Sequence, residues 1–113
     1  MHELGVTQSM LDIVIAQAEA VQAKKIARVN LVIGEMSNIV GDCLQFYFDF
    51  LSRDTIASGA ILSMQRVPSQ FRCRNCGTVF SPNGSHWSCP NCQQWNVEVA
   101  TGQEFYIDSI EVE

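Results

Sequence analysis

Apolar residues recur every three or four positions at the start of the chain. Val6, Met10, Leu11, Val14, Ala18 and Val21 share one face of a helix predicted over residues 3–23. That segment has no proline and abundant alanine, which favours helix. The period then changes to two. Within Ile26–Ile33, Val29, Leu31 and Ile33 point one way and Arg28 and Asn30 the other, as in a half-buried strand, and Gly34 ends it. A second helix is predicted to start near Asp42, where Asp42 and Gln45 have the spacing of a capping box. Its run from Cys43 to Leu51 is apolar nearly all round, which implies deep burial or partial cover by another subunit. Cys43, within that run, reads as a small buried hydrophobe. Further strands are predicted over Ala60–Val67, closed by Pro68, and over Glu104–Val112, after Gly102.

Residues 69–101 break the pattern. They hold four of the five cysteines, both tryptophans, two of the three prolines and few aliphatic side chains. A segment of that composition needs a staple in place of a side-chain core. The expected fold is α+β, a two-layer arrangement of two helices against a three-stranded mixed sheet. A zinc-ribbon-like module with four cysteines is inserted before the last strand. The expected domains are 1–68 with 102–113, and 69–101.

Composition narrows the function. Of the 113 residues, 47% are hydrophobic and 17% charged, a globular balance. The formal net charge of −5 makes a general nucleic-acid binder a poor fit, because such binding relies on displacing counterions with positive charge. No apolar run approaches the roughly 20 residues of a membrane span. Met1-His2-Glu3 lacks the basic start of a signal peptide, so a cytoplasmic location is expected. In a reducing compartment, five cysteines point to metal or redox chemistry rather than disulfides.

Cys73-x-x-Cys76 and Cys89-x-x-Cys92 are two C-x-x-C pairs separated by twelve residues. Two such turns bring four thiolates onto one ion in a tetrahedral site of four sulfurs, which suits zinc. A closed shell of four protein ligands leaves no position for substrate, so the expected role is structural. Two disulfides, or a single iron in a rubredoxin-like electron carrier, are the competing readings. His86, three residues before Cys89, reads as a loop histidine while four cysteines are available. Arg72 and Arg74 flank Cys73 and are the module's only basic residues, a small spot that a zinc-ribbon nucleic-acid or protein-interaction module would use.

Met1-His2-Glu3 has chemistry of its own. The large side chain at position 2 favours retention of Met1. The Met1 amine, the His2 backbone nitrogen and imidazole, and an atom of Glu3 form a compact nitrogen-rich set of the kind that suits Ni(II) or Cu(II). Taken alone the tripeptide is a weak signal and reads as a solvated chain end before it reads as a metal site. No nucleophile–base pair or triad pattern is present in the sequence, which argues against an enzyme.

Together these residues resemble the HypA/HybF family of nickel metallochaperones for [NiFe] hydrogenase maturation. The resemblance runs through Met1-His2-Glu3, Val32-Ile33-Gly34-Glu35, Gly59-Ala60, Val67-Pro68 and the two cysteine pairs to Ser109-Ile110-Glu111-Val112. It implies transported Ni(II) at Met1, His2 and Glu3, with His2 the main side-chain ligand. It also implies structural Zn(II) on Cys73, Cys76, Cys89 and Cys92. The implied partners are the HypB GTPase and the hydrogenase large-subunit precursor, with a homodimer left open by the apolar second helix. The chain departs from some family members in one respect. Gly77-Thr78 and Gln93-Gln94 follow the pairs, where those members place a histidine, so a switch of zinc ligands to such histidines is not expected here.

Overall fold

A computed structural model describes residues 3–82 and 87–113. The elements are α1 (Glu3–Ala20), β1 (Ile26–Gly34), α2 (Gly41–Leu51), β2 (Ile61–Val67), β3 (Gln70–Cys73), β4 (Val79–Phe80), β5 (Val97–Thr101) and β6 (Phe105–Val112). One sheet has the order β2-β1-β6, the other β4-β3-β5. The two helices and the mixed three-stranded sheet follow the expected fold class. The second sheet, inside the cysteine-rich segment, does not follow from composition.

Backbone bonds fix the strand directions. Ile26 donates to the Ile56 carbonyl at the start of β1, and Glu35 donates to Val67 at its end, so β1 and β2 advance together. Lys24 donates to Glu113 and Gly34 donates to Glu104, so β6 runs against β1. A parallel pair needs a crossover connection, and α2 supplies it.

The chain forms two compact units. One is Met1–Val32, Ile39–Gln65 and Tyr106–Glu113; the other is Ile33–Asn38 and Arg66–Phe105. In the first, Val6, Met10, Leu11, Val14 and Ala18 are buried along α1, as the periodicity predicts. Val21 is not: α1 ends at Ala20, and Val21 is 67% exposed. Ile26, Val29 and Leu31 of β1 and Leu44 and Phe48 of α2 complete the core. On the far face of β1, Asn30 donates to Ser109 Oγ at 3.0 Å and Arg28 pairs with Glu111 at 3.4 Å.

Two expectations for α2 need correction. The N-cap is Val40, in extended backbone and with no side-chain cap, so the Asp42–Gln45 capping box does not form. Gln45 instead donates to Asp49 and accepts the amide of Leu62, which ties the helix to β2. Cys43 is exposed, not buried, because only Gly41, Leu44 and Phe48 face the core.

In the second unit, the turn after β1 approaches another backbone closely. A Cβ at Gly34 would collide with the Gly102 carbonyl. Glycine is therefore required here by space rather than by backbone dihedral. Met36 donates to that same carbonyl at 2.6 Å, and the Glu35 carboxylate accepts the Ser69 amide at 2.9 Å.

Two stability outcomes follow. Phe48→Ala removes a fully buried ring and should cost about 3–5 kcal/mol in denaturant unfolding. Gly34→Ala should lower the melting temperature although it adds only one methyl group. Wild-type melting of that variant would show that the approach relaxes without cost.

Candidate metal centre

The two cysteine pairs are built on one backbone design used twice. In the first, the Cys73 amide donates to Thr78 at 2.9 Å and the Gly77 amide returns to the Cys73 carbonyl at 2.8 Å. In the second, the Cys89 amide donates to Gln94 at 2.8 Å and the Gln93 amide returns to the Cys89 carbonyl at 2.9 Å. Gly77 and Gln93 thus occupy equivalent positions, and both have positive φ, +79° and +63°. Glycine takes that conformation freely; glutamine is held there at some cost, and its side-chain amide donates to the Pro90 carbonyl at 3.2 Å.

The first turn hangs from a sheet. β3 pairs with β4 through Phe71↔Phe80 and Arg72↔Val79, and with β5 through Arg72↔Glu98 and Cys73↔Val97. Phe71 is 2% exposed, with Phe80 at 6.1 Å and Trp87 at 4.9 Å between ring centroids. The segment therefore has a small aromatic core of its own, contrary to the expectation from composition. It remains far smaller than the core of the first unit.

Both turns deliver their sulfurs to one point. Cys73 Sγ lies 3.5 Å from Cys92 Sγ, and Cys76 Sγ lies 3.5 Å from Cys89 Sγ. All four lie within 4.8 Å of one another. Four sulfurs at about 2.3 Å from a central zinc would be about 3.8 Å apart, so these separations suit a tetrahedral thiolate site. They are far longer than the roughly 2.05 Å of a disulfide, and all five cysteines are free. The donor set and spacing fit a bound metal ion. Among the described residues this is the one grouping of three or more potential His, Cys, Asp or Glu ligands.

The four positions are not equivalent. Cys73 and Cys89 are buried, whereas Cys76 is exposed and Cys92 half-buried. The Thr78 hydroxyl, 3.1 Å from Cys76 Sγ, and the Thr78 amide hold the Cys76 thiol down at about 5. At Cys92 the Gln94 amide also favours the thiolate. Desolvation and the neighbouring sulfurs outweigh it and push this thiol up to about 12. The two thiols are biased in opposite directions.

The basic spot beside Cys73 is partly offset by one carboxylate. Glu98 Oε1 lies 3.6 Å from Arg72 Nη1, and its Oε2 lies 3.6 Å from Arg74 Nε. That pairing weakens the feature on which a nucleic-acid reading rested. Met1, His2 and His86 lie outside the described residues. Glu3 opens α1, and its carbonyl accepts the Thr7 hydroxyl. No helix among the described residues is long and apolar enough to cross a membrane.

A two-helix, mixed-sheet fold carrying a four-sulfur cage on paired turns defines a small metal-binding protein. Comparison with known proteins narrows the class. The family model described as "Hydrogenase/urease nickel incorporation, metallochaperone, hypA" matches residues 1–112. A hydrogenase maturation factor HypA from Dehalococcoides mccartyi is 52% identical over all of this chain and 95% of its own length. One from Caldanaerobacter subterraneus subsp. tengcongensis is 44% identical over the whole of both chains. The solution structure of the Ni metallochaperone HypA from Helicobacter pylori is 30% identical and superposes with a TM-score of 0.69, covering 99% of this chain and 97% of that one. A second HypA solution structure, also 30% identical, gives 0.79 over 100% and 97%. The chain belongs to the HypA family, and its function is that of a nickel-incorporation metallochaperone in hydrogenase maturation.

The uneven protonation of the cage has a direct readout. In metal-stripped protein near pH 7, iodoacetamide should modify Cys76 well before Cys92, because the thiolate is the nucleophile. Peptide mapping by mass spectrometry checks the order. Equal labelling of the two would show that Thr78 does not bias the site.

Proposed function

We propose that this chain binds Ni(II) as cargo through the Met1 amine, His2 and Glu3, holds Zn(II) structurally on Cys73, Cys76, Cys89 and Cys92, and passes nickel toward the [NiFe] hydrogenase large-subunit precursor. The HypB GTPase is the proposed partner in that transfer. The protein acts in the cytoplasm as a carrier, not an enzyme. Residues 1–68 with 102–113 form the nickel-binding domain and 69–101 the zinc module.

The observation that carries this reading is the convergence of all four module cysteines on one point, in a chain whose family handles nickel. A site with four protein ligands leaves no vacancy through which an ion can be handed on. Cargo therefore needs a second set of donors. Met1-His2-Glu3 offers nitrogen-rich donors in three consecutive residues, a set that favours Ni(II) over the softer ions preferred by thiolates. Ligand amines and imidazoles must be unprotonated to bind. Their reference pKa values of about 8 and 6.5 place nickel release on the acid side of neutrality.

The test is nickel titration of untagged protein beside His2→Ala and beside a variant extended by residues placed before Met1. Both changes should abolish tight nickel binding while leaving one zinc per chain by metal analysis. Acidification from pH 7.5 to 5.5 should release nickel from the unmodified protein first. Undiminished nickel affinity in the extended variant would sink the proposed site.

A further inference from the structure

The cysteine cage meets solvent unevenly. Cys73 and Cys89, the first cysteine of each turn, are 1% and 0% exposed. Cys76 and Cys92, the second of each turn, are exposed and half-buried. Each turn therefore offers one sulfur to water and keeps one inside. The nearest sulfurs also belong to different turns. Cys76 Sγ lies 3.5 Å from Cys89 Sγ, and Cys92 Sγ lies 3.5 Å from Cys73 Sγ. Each accessible sulfur thus has a buried sulfur of the other turn beside it.

Sites of reversible thiol oxidation have these parts: an accessible thiolate that meets the oxidant, and a second sulfur in reach to resolve the product. Cys43 is exposed as well, but it stands outside the four-sulfur group.

We propose, on the structural-zinc reading, that the cage is a reversible oxidation site for hydroperoxides: Cys76 takes the oxidant, and Cys89 resolves it as a disulfide between the two turns with release of zinc. In the first step the Cys76 thiolate attacks one oxygen of hydrogen peroxide. An S–O bond forms, the O–O bond breaks and hydroxide leaves, so the sulfur gives up two electrons and the peroxide takes them. In the second step the Cys89 thiolate attacks the sulfur of the Cys76 sulfenic acid. An S–S bond forms, the S–O bond breaks and hydroxide leaves. Cys73 and Cys92 alone do not complete a tetrahedral site, and the ion is shed to solvent. A second peroxide reacts in the same way at Cys92, which Cys73 resolves. Four thiolates and two peroxides become two disulfides and four hydroxides, and no other reactant is needed.

The pairing across the turns decides what remains. Each sulfur pair has to close by only about 1.5 Å to reach disulfide length. The backbone bonds that shape the turns, from the Cys73 amide to Thr78 and from the Cys89 amide to Gln94, involve no sulfur. Disulfides between the turns therefore replace zinc as the staple that joins them. Disulfides within each C-x-x-C would leave the two turns unjoined. The cross-linked form also protects the sulfurs from further oxidation, and a dithiol reductant returns it to thiols.

The test uses full-length Cys43→Ser protein, reduced and zinc-loaded, so that only the cage responds. Metal analysis of the untreated protein comes first: absence of zinc would overturn the zinc reading and this inference with it. Hydrogen peroxide is then added beside a zinc indicator too weak to strip the untreated protein. Time points are divided between dimedone trapping of sulfenic acid and non-reducing peptide mapping. Trypsin cuts after Arg74 and chymotrypsin after Trp87, which puts Cys73, Cys76 and the second pair on separate peptides. At early times Cys76 should carry at least about tenfold more dimedone than Cys73 or Cys89. The Cys76–Cys89 disulfide should accumulate in step with zinc release, and Cys73–Cys92 should follow. Dithiothreitol with added zinc should restore one zinc per chain. A first disulfide within a turn, dimedone first on a buried cysteine, or zinc retained after a disulfide has formed would each overturn the proposal and leave the structural-zinc reading standing.

Discussion

Four sulfur atoms within 4.8 Å of one another are the constraint on which the second unit is built. As thiolates they repel, and as thiols they are weak hydrogen-bonding groups. A divalent cation at their centre turns the repulsion into attraction. Binding in small zinc modules is worth about 10–16 kcal/mol, on the scale of a domain's whole stability. The apolar reserve around the cage is slight: Phe71 with Phe80 and Trp87. Backbone bonds do the positioning. Each turn closes from its first cysteine to the residues four and five further on, which aims both pairs of sulfurs at one point. That wiring explains why a glutamine is held at +63° in the second turn: the geometry is imposed by the ligand set, and the local residue complies.

The same unit relies on a second contact that looks ordinary in sequence. Gly34 and Glu35 end the first strand. Gly34 admits the Gly102 backbone, and Glu35 takes the Val67 carbonyl with its amide and the Ser69 amide with its carboxylate. Thr101 donates to the Pro68 carbonyl on the way back. Gly34-Glu35, Val67-Pro68 and Gly102 thus form one bonded junction where the chain enters and leaves the cysteine-rich segment. The Gly-Glu pair, a mark of family resemblance, has a structural reason for both of its residues.

How much of this is legible in the sequence depends on the range of the interaction. The α1 face is a local periodicity and appears in the structure from Val6 to Ala18, whereas β1 alternates only from Arg28 to Leu31, because Ile26 and Val32 on the polar face are also buried. The cage is legible because C-x-x-C constrains geometry within four residues and zinc chemistry requires two such turns. Apart from the end of α1, which closes at Ala20 and leaves Val21 exposed, the failures are non-local. Gln45 has the spacing of a cap but is taken by the Leu62 amide, seventeen residues away. Cys43 looks buried because its neighbours are apolar, yet a single α-helix packed on one side leaves its other side in water. Strands β3, β4 and β5 escape a sequence reading because they are two to five residues long, with pairings that periodicity does not encode. Glu98 partly offsets the Arg72–Arg74 spot by register across that unforeseen sheet.

A carrier faces a conflict between holding an ion and giving it up. Cys73 and Cys89 are buried at the roots of their turns, and on the proposed reading losing zinc would cost much of what orders residues 69–101. An ion held that way is not available for transfer. On the proposed reading, cargo is held by donors whose release costs the fold nothing, the amine and imidazole of Met1 and His2. Different donor chemistry keeps the two metals apart. Thiolates hold zinc in a tetrahedral site that Ni(II) does not prefer, and a nitrogen-rich tripeptide suits tetragonal Ni(II). The separation of structural stability from exchangeable binding then follows from ligand type and from the position of each ligand in the chain, with no moving part required.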